Sequence, residues 1–444
     1  MARQGCRAHV RMQTGQALAL AVILVAAVMV VFTRFFFVGQ VVASKTEHTH
    51  ALDTATYSGA LVQARALNTL GFLNRAQVGH HIAMAHLVTL GSWASLAGTQ
   101  AQQLARGNPP GYLIDMLFGG AHGQAYRAAS QAVGFDQLSR PQGSLALAYK
   151  EHDRWVNEIF TNAQQALAAS VPNARRQMML NLLAQSLSDA QSRWTLQELD
   201  AGLEINDDQW PTFLRSYAGT HLRPFVLGMA QRYQFLAPRN ATARNNWVVD
   251  ARCPGRRHEL RRRGQTQMDE EGRWQASDTE SFHALRSNRW IGCYFREYPM
   301  GWGWIPTHRS QGPNARYTEA PPENFSAQDF WRWAQEHTTW DIKESTDNPL
   351  AMSYGVARGD RWSGRGLPAF LALATDGAAA VGFQATLRLT GPDGLLISTH
   401  SAAEAFFQRP QARADGKVEE ANLFRPYWQA RLTTPPHVAQ STLH

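Results

Sequence analysis

Cysteine is scarce in this chain: three residues in 444, with no two in a Cys-x-x-Cys spacing. A zinc ribbon or a thioredoxin-type redox site is therefore not supported. Charge is also thin, at 18%, against about 25% in ordinary globular chains. Hydrophobic residues at 44% are nonetheless near the norm, enough apolar surface to offset the entropy of ordering, which excludes a disordered tail. Glycine and proline are scattered without a period, which excludes a collagen-like fibre. Only one apolar run is long enough to cross a bilayer, which argues against a polytopic membrane protein. No Gly-x-Ser-x-Gly, cysteine-protease signature or internal repeat is present. What remains is one anchor joined to a large body, which by length comprises about three structural units with the anchor counted.

The anchor is the run 17–38, uncharged up to Phe32, interrupted by Thr33 and Arg34, and resumed by Phe35, Phe36, Phe37 and Val38. As a helix it is about 33 Å long, against about 30 Å of hydrocarbon. Arg34 lies close enough to the end for its guanidinium to snorkel to the interface. Arg3, Arg7 and Arg11 precede the run, whereas only Lys45, offset by Glu47, follows closely. The positive-inside bias puts residues 1–16 in the cytoplasm and the body outside. Val41-Val42-Ala43 offers an alternative, a cleaved export signal, which would deliver the body to the same compartment. Export leaves Cys253 and Cys293 as the only pair outside. In an oxidising compartment they either close a loop of about 40 residues or stay as two buried thiols.

Residues 43–106 contain no proline and read as helix, with Leu61, Ala64, Leu67, Leu70, Leu73 and Val78 forming one stripe. Asn108-Pro109-Pro110-Gly111 stops it. Helical patterning returns at 124–138, 144–170, 172–201 with Pro172 in its first turn, and 210–230 with Pro224 bending or splitting it. Composition changes near Tyr233, so the predicted division is 39–232 helical and 233–444 β-rich. Strands are expected at 247–251, 256–263, 285–295, 350–358, 386–389, 395–398, 403–408 and 428–432. One helix is expected among them, capped by Ser326 and running into Phe330, Trp331 and Trp333. The fold class is α+β, helices first and a mostly antiparallel sheet second.

Candidate sites are weak in the sequence. His48 and His50, and His80, His81 and His86, form two clusters, but no carboxylate lies between His80 and His86. The pair His81 and His86 lacks the i, i+4 spacing of a zinc site, so these read as ordinary polar or capping histidines. Asp278, Glu280 and His283 suit acid–base chemistry, and suit a charged turn equally well. The basic run Arg256, Arg257, Arg261, Arg262 and Arg263 would carry arginine on both faces of a strand, hence an edge strand, ribbon or loop. It is a solvated face or a partner surface for an anion, consistent with a net charge of +8. It has no interleaved aromatics, so no nucleic-acid partner is expected. Aromatics gather at Trp290–Trp304 and at Trp331–Trp340 and read mainly as core. Trp302 and Trp304, in Gly-Trp-Gly-Trp, are the two expected to be exposed as a partner platform.

Several segments resemble a known family. Gly15-Gln16-Ala17-Leu18, the apolar run, and the stretches 51–60, 63–68 and 74–76 are similar to the N-terminal part of the TadE/TadG-like proteins of Flp (tight adherence, Tad) pilus assembly. Glu297-Tyr298-Pro299-Met300-Gly301-Trp302-Gly303 and residues 422–432 extend the likeness toward the C-terminus. The resemblance implies a single-pass bacterial inner-membrane protein with a periplasmic body. Its partners would be other pilus-assembly membrane proteins or pseudopilins, and it would have no enzymatic activity, cofactor, metal or small-molecule substrate. Gly15 and Gln16 are the candidate processing site. The fifth residue after Gly15 is Leu20, where pilins and pseudopilins carry glutamate, which argues against processing and against a repeating shaft subunit. The Asp-x-Ser-x-Ser motif of an adhesive von Willebrand A domain is absent. The alternative from another class is a tethered exported enzyme or cell-envelope binding protein.

Overall fold

The computed structural model describes residues 14–187, 194–289, 292–307, 362–391 and 394–434. The expected strand at 350–358 and the helix after Ser326 lie outside the described residues.

The fold is α+β, with helices in the first half and antiparallel sheets in the second. Helix α1, Thr14–Ala105, is followed by α2, Gly111–Phe118, α3, Gly120–Ala128, α4, Asp136–Ser139, and α5, Ser144–Arg154. A π-helical segment, Trp155–Phe160, joins α5 to α6, Thr161–Ser186. Then come α7, Leu196–Gly202, β1, Leu203–Asn206, α8, Trp210–Phe213, β2, Leu214–Tyr217, and α9, Arg223–Ala230. The later strands are β3, Ala241–Arg244, β4, Glu259–Met268, β5, Trp274–Asn288, β6, Gly292–Pro306, β7, Phe370–Leu373, β8, Ala380–Thr390, β9, Leu396–Phe407, and β10, Trp428–Thr433.

Several expected boundaries are corrected. Pro172 does not open a helix; it lies inside α6. A proline there leaves the carbonyl four residues back without its donor, and the Trp210 indole N–H supplies one to Ala168 O at 2.9 Å. The expected helix at 210–230 is two short helices separated by β2, with Pro211 and Pro224 each at a helix start. Residues 247–251 form turns, because the Asn245 side chain bonds Trp247 O and His258 N and bends the chain. The expected strand 285–295 is the end of a hairpin between β5 and β6, with Asn288 opposite Gly292. Segments 395–398 and 403–408 belong to one strand, β9.

Two compact units divide the chain: Met1–Thr69, Ala168–Leu214 and Leu373–His444 in one, Leu70–Leu167 and Arg215–Ala372 in the other. The change near Tyr233 is thus a change of secondary structure and not the limit of a unit. A sheet with one apolar face needs a helix against it, and each unit takes its helices from the first half.

In the first unit β1, β8, β9 and β10 form an antiparallel sheet in that order. Along β8 the residues Val381, Phe383, Ala385, Leu387 and Leu389 are buried, the two-residue period of a strand with one face inside. Phe383, Ala385, Leu387 and Leu389 pack on Ala51, Leu52, Ala55 and Ala60 of α1 and on Met179, Leu180 and Leu183 of α6. Gly59 makes the approach possible: a Cβ there would lie 2.9 Å from Phe383 and 3.0 Å from Arg175. Asn68 then ties the helix to β10, donating to Trp428 O at 2.9 Å and accepting from Trp428 N at 3.0 Å.

In the second unit β3, β4, β5 and β6 form the sheet. Met300 is the extra residue of a bulge in β6, since Glu280 pairs with Gly301 and Ser281 with Pro299. Residues Leu70–Ala105 of α1 lie on this sheet through glycine: a Cβ on Gly301 would sit 2.2 Å from Gln100 Cγ, and one on Gly303 2.1 Å from Ser92 O. Buried amides tie the same stretch of helix to β7, which pairs with β2 in a separate two-stranded sheet. Asn74 donates to Leu371 O at 2.9 Å, Gln164 donates to Asn74 Oδ1 at 2.7 Å and to Gln77 Oε1 at 3.2 Å, and Leu371 N donates back to Gln164.

Gly303→Ala should destabilise the protein by about 2–3 kcal/mol, because the methyl meets helix backbone that cannot rotate away. Gly79→Ala, in the same helix with open space at its Cβ, should instead stabilise it by up to about 1 kcal/mol. Chemical denaturation of the two variants in detergent checks the pair; equal effects would remove the close-approach argument.

Candidate functional site

The N-terminal part of α1 is the first candidate. Every side chain from Leu18 to Gln40 is exposed, including Leu20, Ile23, Phe32 and Phe35. This stretch is long and apolar enough to cross a membrane. From Ala51 onward the same helix is buried on one face. Gly15 and Gln16 fall in its first turn.

The second candidate, the basic run with its neighbouring tryptophans, does not form one exposed surface. Strand β4 begins at Glu259 and is paired on both sides, with β3 and with β5, so it is not an edge. Arg261 is buried, 2.7 Å from Glu259 and over the Phe295 ring at 5.6 Å. Two charges that satisfy each other inside a sheet need no partner outside it. Arg256 donates to Cys293 O at 3.2 Å, and Arg257 to Pro254 O at 2.7 Å. Arg263 donates to Ala241 O at 2.9 Å, and burial, with Arg261 beside it, lowers its pKa. Arg262 is the one exposed member of the run. Trp302 and Trp304 are buried, at 7% and 8% exposure, and are not a surface platform. Gly301 and Gly303 face the helix, and the tryptophans that alternate with them point to the opposite face of the sheet. Cys253 and Cys293 are joined by a disulfide, with Cα atoms 5.9 Å apart. It ties the loop before β4 to the start of β6.

Asp278, Glu280 and His283 lie on β5 and not in a turn, and strand alternation puts His283 on the face opposite the two carboxylates. Asp278 is fully buried and accepts from Arg239 Nε at 2.9 Å, Arg239 Nη2 at 2.8 Å and Ser92 Oγ at 2.9 Å. Gly264 leaves it room, since a Cβ there would lie 2.2 Å from its Oδ1. Glu280 accepts from Gln100 at 2.5 Å, and burial raises its pKa against the pull of Arg262. His283 points to the other face, where Nε2 and Ser281 Oγ are 2.8 Å apart, and burial first, then Arg261 and Arg263, holds its pKa well below 6.5. A buried bidentate pair of this kind costs about 3–5 kcal/mol when one partner is removed. It reads as a structural lock between α1, β5 and the chain before β3.

A cavity of about 720 Å³ lies among Leu227, Tyr233, Leu236, Pro238, Met268 and Trp274. Gln231, Gln234, Gln267, Thr266 and alanines also line it, so among the described residues Tyr233 is its one ionisable side chain. Among the described residues no group of three or more histidines, cysteines or carboxylates is placed to hold a metal. Comparison with family models, characterised proteins and solved structures finds no match. The arrangement itself must carry the reading.

Sequence reasoning missed the buried amides and the Arg239–Asp278 pair. Isolated Asn, Gln and Arg residues give no signal until partners some 40 to 300 positions away are known.

Acid sensitivity follows from histidines that burial keeps neutral, His283 above and two more. Burial, reinforced by Arg286, lowers His258 from 6.5 to about 4, and its Nδ1 accepts from Leu285 N at 2.8 Å. Burial lowers His81 to about 3, with His80 adding to it. Both are neutral when folded and take up protons in the unfolded chain below 6.5. The melting temperature should therefore fall as pH drops from about 6.5 toward 4, and His258→Asn should flatten part of that slope. A pH-independent melting temperature over this window would refute the linkage.

Proposed function

We propose that this chain is a non-enzymatic, membrane-anchored component of Tad/Flp-type pilus assembly. Its N-terminus would lie in the cytoplasm, its apolar helix in the bacterial inner membrane and its body in the periplasm. The observation that carries this reading is α1 itself: an exposed apolar stretch continues without a break into a helix clamped on an antiparallel sheet. Such an element couples what happens in the bilayer to the folded body. Small residues at Ala17, Ala19, Ala21, Ala26 and Ala27 allow close lateral contact with other membrane helices. The residues behind the family resemblance support the reading in a second way. Gly59, Asn68, Asn74, Gly301, Gly303 and Trp428 all hold α1 to its sheets. The two ends of the likeness, near the anchor and near the C-terminus, thus meet in one clamp at Asn68 and Trp428.

The second reading is a tethered exported enzyme or cell-envelope binding protein, and the 720 Å³ cavity is the observation that favours it. Its largely apolar, uncharged wall suits binding better than acid–base catalysis.

Fractionation and N-terminal sequencing in the native host, with and without prepilin peptidase, test the proposal. An intact N-terminus in the inner-membrane fraction, with pili lost when Ala19 and Ala26 are replaced by Leu, is the expected result. A start at Gln16 recovered with sheared pili would make the protein a fibre component. Normal pili after deletion of the chain would end the pilus reading.

A further inference from the structure

His80 and His152 lie 72 positions apart, and the sequence groups His80 with His81 and His86. The fold separates those neighbours. His81 is buried, His86 packs on Phe235, and His80 turns to α5, where its Nδ1 lies 3.0 Å from Nδ1 of His152. All of these residues belong to the second unit.

We propose that His80 and His152 form a two-histidine site for a divalent transition ion, best matched by copper(II), with water in its remaining positions. Two imidazole nitrogens bound at about 2.0–2.1 Å are about 2.9 Å apart in cis positions of a square plane and about 3.4 Å apart at a tetrahedral angle. The separation of 3.0 Å is that of the square plane, the geometry diagnostic of copper(II) or nickel(II), and copper heads the affinity order of the first-row divalent metals. The ring centroids are 4.8 Å apart. Collinear nitrogens would put them about 5.3 Å apart, so the ring axes are bent at the hydrogen bond they share in the metal-free pair. Convergence on an ion at about 2.1 Å reproduces the observed spacing.

The surroundings suit neutral ligands. Both rings are half-buried, and each offers its Nδ1 to the same point. Phe160, at 5.1 Å, and Trp155, at 6.4 Å, wall the His80 ring. Both belong to the π-helical segment, a feature frequent at functional sites. The Val156 carbonyl that this segment frees is taken by Thr161 at 3.1 Å and Gln77 at 3.5 Å, so the distortion is anchored on both sides. Glu151 is committed to Arg154, at 2.5 Å and 3.1 Å, and Glu158 to Arg365 at 2.9 Å. The half-buried rings leave an approach for an ion and its waters. In the metal-free pair one Nδ1 must carry the shared proton. Binding moves that proton to Nε2 of the same ring, so two neutral imidazoles ligate with no net proton release.

Copper(II) added to the full chain in detergent at pH 7.5 tests the site. Isothermal titration should find a site that His80→Ala and His152→Ala each weaken on the order of a hundredfold. Electron paramagnetic resonance should show nitrogen coupling from two imidazoles in the wild type and from one in either variant. Thermal melting of the variants without metal checks that they fold, and His80→Asn serves as a milder replacement if His80→Ala does not. Retention of the two-nitrogen signal in a folded His80→Ala His152→Ala protein would overturn the proposal. So would the absence of a site sensitive to these substitutions, leaving the pair as a hydrogen-bonded contact.

Discussion

The close seating of α1 on antiparallel strands is the constraint on which the rest of the structure depends. In each unit the seating has the same two parts. A glycine removes the Cβ that would hold backbone from backbone: Gly59 on the helix in one unit, Gly301 and Gly303 on the strand in the other. A side-chain amide then bonds strand backbone directly, Asn68 to Trp428 in the first and Asn74 to Leu371 in the second. Each such bond contributes only about 1 kcal/mol net, but losing one partner leaves a buried polar group unsatisfied at about 1–3 kcal/mol. The clamps therefore specify register more than they add stability.

That logic explains why the second unit tolerates so much buried polarity. Asp278 inside a sheet would be costly alone, and it is held by Arg239 and Ser92 from two directions. Arg261 and Glu259 neutralise one another in the same way. Paired buried charges in a low dielectric favour one geometry, because any slip along the strand unpairs several at once.

The anchor and the alternation of helix and strand were legible early because each rests on local physics. An apolar run broken only by Thr33 and Arg34, a stop at Asn108-Pro109-Pro110-Gly111 and the strand pattern at 386–389 all lie within a few turns of chain. The prolines misled for the opposite reason. Pro172 signals a helix start, and the Trp210 indole, 38 residues later, removes the cost that makes that signal reliable. The aromatic-rich Gly301–Trp304 segment reads as exposed by composition, yet its tryptophans are buried and its alternate residues are glycines that admit α1 on the opposite face.

The sequence alone determined that this chain has one apolar helix able to span a membrane, an α+β fold, and a single pair of cysteines outside the anchor region. These follow from composition and short-range periodicity, which act residue by residue. Only the tertiary structure decided which polar residues are partners. It set Arg261 against Glu259 and not toward solvent, parted Asp278 from His283 across a sheet, and brought His80 to His152 while parting it from His86. Such choices depend on long-range packing, where the desolvation of each group is set by whatever distant segment arrives to cover it.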